Sequence, residues 1–198
     1  RSGDGLYCVR DKLVLELGSG VAALAGLSAR FLNARKVIVS DVENALPSLT
    51  ANLKLNDEIH GALGVRPLPL DWLAVAANKN GCEEARHLVR MEFQESTGEP
   101  ASSPIYLIAA DVVWVEELIE PLVNTIACFL DERGYMLLAH QTRSNQIDRL
   151  FLQQLHAHNL TYTVLSKPNF HPNFNPEKIK VFRINRYYRS ALSEQIKV

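Results

Sequence analysis

At 198 residues the chain suits one domain of ordinary size, long enough to bury a core without disulfide or metal staples. Apolar residues make up 47% and charged ones 22%, with a formal net charge of −1, so nothing in the bulk charge draws it to nucleic acid or to an anionic membrane. Cys8, Cys82 and Cys128 lie far apart with no Cys-x-x-Cys pair, which argues for a reducing compartment and against a disulfide scaffold or a zinc site. No apolar stretch approaches membrane-spanning length and no charged-then-apolar leader opens the chain, which starts at Arg1 rather than Met and reads as a single domain over 1–198, truncated at its N-terminus.

Arg1 to Asp11 carries glycine and charge without periodicity and reads as an incoming loop. Lys12 to Leu17 is a continuous apolar run carrying Glu16 and broken at Gly18, as in a buried strand of a parallel sheet. Gly18-Ser19-Gly20 then delivers a turn, and Val21 to Leu32, with Leu24, Leu27 and Phe31 on one stripe, predicts a helix. Strand, glycine turn and helix in that order make a cradle where backbone can approach a ligand and helix amides point at it. The next run, Lys36 to Val39, closes on Ser40-Asp41. An acid at the end of a second strand, about twenty residues past the glycines, is where a carboxylate accepts from both hydroxyls of a ribose. The dinucleotide fingerprint is incomplete, because Ala23 stands three after Gly20 and Gly26 comes later, so a pyrophosphate has less room.

Leu46, Leu49 and Leu53 recur at helical spacing, with Pro47 in the tolerated first turn. Val65 to Leu70 is a poorer strand whose prolines mark an edge or irregular position. It leads to Asp71-Trp72, a carboxylate that can accept from an exocyclic amine beside an indole that can cover a purine face; the plain alternative is a half-buried core tryptophan with a solvated neighbour. The composition shifts over 74–103, through turn chemistry, a charged helix over Glu83 to Gln94 and a loop rich in Ser, Gly and Pro, and this stretch reads as an insertion, in part mobile.

Ile105 to Ala110 is a buried strand ending at Asp111, followed by a helix face from Val115 to Phe129. Gly134 to Ala139 is a fifth strand, Ser144 caps the next helix, and Thr161 to Leu165 and Ile179 to Ile184 are two late strands joined by a loop over 167–177. His156 and His158 lie two apart on that helix, so they face different ways and suit solvent better than a metal. The whole predicts an open, mostly parallel α/β sheet of Rossmann type with helices on both faces, its last strand antiparallel and its ligand across the carboxyl ends of the first strands.

Four ordered motifs carry a resemblance: Leu-Glu-Leu-Gly-Ser-Gly at 15–20; Val-Ile-Val-Ser-Asp at 37–41 with the later Leu-x-x-Asn-Leu-Lys-Leu-Asn; Leu-Asp-Trp at 70–72; and Ala-Ala-Asp-Val-Val-Trp-x-Glu-Glu-Leu from 109. From about Lys12 to Arg186 the chain resembles the seven-stranded, S-adenosylmethionine-dependent protein-lysine methyltransferases of the methyltransferase-like group. The resemblance implies that Glu16, Gly18, Ser19, Gly20 and Asp41 bind the methionine and ribose parts of S-adenosylmethionine, Asp71 and Trp72 its adenine, and Ala110 and Asp111 the rim near the sulfonium. Asp111 to Trp114 matches the family's Asp-x-x-Tyr signature at the lysine entrance, with Trp114 where tyrosine is usual, and Ala22 replaces a glycine common in the first motif. It implies a protein substrate presenting a lysine, with Asp111 orienting the amine and Trp114 as a wall that engages its cationic head, in an intracellular setting of cytoplasm or nucleus. Glu116, Glu117 and Glu120 either attract a basic segment or form a solvated helix face. Two other classes stay open: a binding or scaffold protein that keeps the fold without catalysis, and a nicotinamide-dependent oxidoreductase.

Overall fold

Apolar runs with no polar side have no face to offer water, so they belong between two layers of helices. The computed structural model describes residues 8–61, 63–98, 100, 102–166 and 178–187, and places those runs at the centre of a seven-stranded sheet. The chain runs β1 (Leu13–Leu17), α1 (Leu24–Phe31), β2 (Lys36–Asp41), α2 (Leu46–His60), β3 (Arg66–Pro69), α3 (Trp72–Ala77), α4 (Gly81–Thr97), β4 (Ile105–Ala110), α5 (Ile119–Phe129), β5 (Met136–Gln141), α6 (Asn145–Ala157), β6 (Leu160–Val164) and β7 (Ile179–Arg186). The strand order is β3-β2-β1-β4-β5-β7-β6, parallel through β5, with β7 antiparallel to both its neighbours. The proline-bearing β3 is an edge strand, and Ser144 caps α6 through its hydroxyl. No helix among the described residues is long and apolar enough to cross a membrane.

Strand alternation divides the core in two. Leu13, Leu15, Leu17, Ile105 and Leu107 pack with Phe93, Ile119, Leu122 and Ile126 on one side of the sheet. Val14, Val37, Val39 and Ile108 pack with Leu27, Leu49 and Leu53 on the other. Chain order makes the carboxyl ends of β1, β2, β3 and β4 a shared rim, which is what positions the site.

Two expectations are corrected. The stretch 74–103, expected as an insertion, is the crossover from β3 to β4: it holds the end of α3 and all of α4, whose Ala85, Val89 and Phe93 are buried in the larger core. Its charged residues disguised a helix that is amphipathic rather than solvated. Cys82 and Cys128, expected as separate thiols, are joined in a disulfide that ties the start of α4 to the end of α5, leaving Cys8 free. Wide spacing along the chain says nothing about spacing in the fold. The loop expected over 167–177 lies outside the described residues, as do residues 1–7 of the incoming segment.

Candidate active site

The carboxyl ends of the first four strands enclose a cavity of about 490 Å³, within the range of small-molecule sites. Of the residues singled out from sequence, Gly18, Gly20, Asp41, Asp71, Trp72, Asp111 and Trp114 line it. Glu16, Ser19 and Ala110 do not: the Ser19 hydroxyl donates to the carbonyl of Gly20, and Ala110 lines an apolar groove beside α1. Val42, Leu70, Leu73, Val112 and Leu118 complete the lining, apolar contributions that no motif marked.

The first turn differs from the expected cradle. Ala23, in the left-handed region at φ 47°, sits before α1 with no capping side chain, and the helix begins at Leu24. Its first amides are met from below by Glu16, which is buried and accepts from the Gly26 N–H at 2.8 Å and from Ala25. Burial pushes the Glu16 carboxyl up to about 7, the charge of Asp41 adds to the rise, and the two amide bonds oppose it. Gly26 is required for this fit, since a Cβ there would lie 2.4 Å from Val39 Cγ1 and 2.6 Å from Glu16 Oε2. With the Ala25 and Gly26 amides taken by a side chain, this helix start offers fewer donors to a pyrophosphate.

The two turn glycines have different tasks. At Gly18, φ +63°, a Cβ would meet Val112 Cγ1 at 2.8 Å and the Trp72 ring at 3.0 Å, so its missing side chain lets the indole pack down. At Gly20, φ +59°, a Cβ would meet nothing within 4 Å, and backbone faces open cavity. Asp41 holds this turn: Oδ2 accepts from Gly20 N–H at 2.8 Å and Oδ1 from Val42 N–H at 2.8 Å. A carboxylate has about four acceptor sites, so two remain for a ribose diol. Asp71 caps α3 by accepting from Leu73 N–H at 2.9 Å through Oδ1, and it aims Trp72 over Gly18.

Asp111 follows β4 in the left-handed region at φ 59°, with its N–H donating to the Ala139 carbonyl at 2.8 Å. An aspartate tolerates that conformation at some strain, and such strain gathers at functional sites. Its carboxylate is gripped by the guanidinium of Arg143, Nη2 to Oδ2 at 2.6 Å and Nη1 to Oδ1. This bond holds the Asp111 carboxyl below the usual range against a smaller opposing effect of burial. Trp114 stands beside it, 58% exposed, an indole presented to solvent rather than to core.

A family described as lysine methyltransferase matches residues 3–158. A protein-lysine N-methyltransferase EFM3 from Chaetomium thermophilum is 32% identical over 113 residues, which are 57% of this chain and 32% of that protein. The chain thus spans about a third of the length of this curated relative. Among solved structures, Aeropyrum pernix fibrillarin, crystallised with S-adenosyl-L-methionine, superposes with a TM-score of 0.55 at 17% identity, covering 90% of this chain and 68% of that one. Magnesium protoporphyrin IX methyltransferase from Synechocystis, also with its methyl donor bound, gives 0.54 at 12% identity over 90% and 71%. At such identities these two likenesses establish the fold alone.

Proposed function

The chain belongs to the lysine methyltransferase family, and from that premise we propose that it is an S-adenosylmethionine-dependent enzyme that methylates the side-chain amine of a lysine on a protein substrate. The observation that carries the cofactor reading is the first turn. Glu16 takes two amides of the helix start that a dinucleotide phosphate would use, while Asp41 keeps acceptor sites for a ribose and Trp72 a face for a purine. A nucleoside linked to an amino acid through a sulfonium has that shape, and it supplies a methyl group on positively charged sulfur. In this reading Asp41 binds the ribose, Asp71 and Trp72 the adenine, and the Gly18 to Gly20 backbone lies against the methionine portion.

In-line displacement asks the protein mainly for alignment and an unprotonated acceptor. Asp111 and Trp114, on the same cavity wall, set the direction of the incoming amine, the carboxylate by hydrogen bonding and the indole as a wall along the side chain. Calorimetry with S-adenosylhomocysteine and with NADH tests the cofactor: binding of the first and not the second is expected, and the reverse overturns the reading. Tritium from labelled donor should appear in total cell protein as methyl-lysine on hydrolysis, and should be lost in Asp111→Ala.

The scaffold reading is favoured by one observation, the Arg143 guanidinium already seated on Asp111. Tight binding of S-adenosylhomocysteine with no labelled lysine from any lysate decides for it.

A further inference from the structure

We infer that Arg143 is a positioning residue that holds the Asp111 carboxylate as an ion pair so that the acceptor lysine enters as a neutral amine. This rests on the lysine-methyltransferase reading above and assigns a part to a residue outside the sequence motifs. Lysine in water is almost wholly ammonium near pH 7, and ammonium has no lone pair with which to attack. A bare carboxylate at the entrance would bind that cation and raise its pKa, favouring binding at the expense of chemistry. A carboxylate already matched by a guanidinium presents oxygens that can accept a hydrogen bond but little net charge. The ammonium then gives its proton to bulk water, and the guanidinium, which stays protonated throughout, keeps its own.

The pair is built rather than incidental. Both partners are fixed to β5 or the turn after it: Asp111 through its N–H to Ala139, and Arg143 between two anchored neighbours. Thr142 donates to Asp148 Oδ2 at 2.7 Å, and Ser144 caps α6 by accepting from Ile147 N–H at 3.4 Å. Asp148 in turn bonds the buried His140 at 2.8 Å. The surroundings are rich in acids. Asp41 and Asp71 line the same cavity from the ends of β2 and β3. Glu116, 3.5 Å from Gln146 Nε2, begins an acidic run continued by Glu117 and Glu120. On the basic side, His140 adds a pull on Asp111 from within β5, and Lys180 of β7 reaches Thr142 Oγ1 at 3.4 Å. Among the described ion pairs, Arg143 with Asp111 is the one that engages an acid of the cavity wall.

The test compares wild type, Arg143→Gln and Arg143→Lys by the rate of tritium transfer into lysine of dialysed total cell protein, at saturating donor, from about pH 6 to 10. Because both partners are about half exposed, Arg143→Gln should move the acid limb of the profile upward by about half a pH unit, and Arg143→Lys should bring it most of the way back. A purely structural role would lower the rate equally at every pH. A second readout needs no turnover. Both tryptophans of the chain line the cavity, so their fluorescence reports n-butylamine as a lysine side-chain probe; Arg143→Gln should bind it about threefold tighter at pH 7, where it is ammonium. An unmoved acid limb or unchanged butylamine affinity, with wild type active on lysine, overturns this inference and leaves the enzyme reading standing. No labelled lysine from wild type at any pH overturns both.

Discussion

Where the strands begin, below the end of α5, cations are taken up by backbone: Arg86 donates to the Cys128 carbonyl at 2.8 Å, and Arg186 to Leu130 at 2.9 Å and to Ala127. Where β1 to β4 finish, carboxylates face a cavity, and Asp41 and Asp71 use only part of their accepting capacity on local amides. Helix C-termini expose carbonyls that attract cations and helix N-termini expose amides that attract anions, so the sign of charge at each end follows from the topology. The difference lies in completion. At the lower end Arg86 and Arg186 are bonded to backbone carbonyls, whereas the carboxylates of the upper rim keep accepting capacity in reserve.

Predictions follow the size of the effect each end should show. Cys82 and Cys128 belong to the lower end; opening their bond, by reductant or Cys128→Ser, should cost about 2 to 4 kcal/mol of stability in urea unfolding while cofactor affinity holds in calorimetry. An equal fall in affinity would show the two ends to be one unit. Glu16 belongs to the upper end yet is buried, and its carboxyl is raised from 4.5 to about 7. In that window the unfolded chain releases the proton first, so the Glu16 contribution to stability should be greatest below about pH 4.5 and fall by roughly 3 kcal/mol as pH rises through 7. Glu16→Gln should flatten that stretch of the stability–pH curve; an unchanged slope would assign it to other groups.

Asp41→Ala should weaken S-adenosylhomocysteine binding by about 1 to 3 kcal/mol. Unchanged affinity in calorimetry would put the ribose elsewhere. Smallest is Arg186→Ala, which should lower stability by about 1 to 2 kcal/mol through freed α5 carbonyls and leave affinity alone. A loss of binding there would mean that the lower end reaches the site.

The strands were legible because β1, β2 and β4 are mostly apolar runs that meet glycine or an acid at their ends; Ile105 to Ala110 has in the structure the bounds that its sequence implies. The rim residues Gly18, Gly20, Asp41, Trp72 and Asp111 were legible for the same reason, since strand ends in a parallel sheet share one edge. Glu16 was not. Its task depends on α1 starting at Leu24, after a left-handed Ala23, which an apolar stripe beginning at Val21 does not reveal. Arg143 escaped because it pairs across 32 residues with no periodic link. Its signal was positional: β4 and β5 are parallel neighbours with Ala110 beside Ala139, so the residues just past each end meet. The cysteine pair left no trace at all, being a meeting of helix ends 46 residues apart.

The prolines of β3 bear on how a protein can approach. Leu70 N–H turns inward to the Asp41 carbonyl, so by alternation the nitrogens of Pro67 and Pro69 look outward, where they have no hydrogen to offer. A visiting polypeptide therefore finds no ladder to zip onto along this margin, although it lies beside the cavity mouth. Under the proposed function, a substrate lysine is therefore expected to arrive on a protruding bend or helix rather than on an added strand.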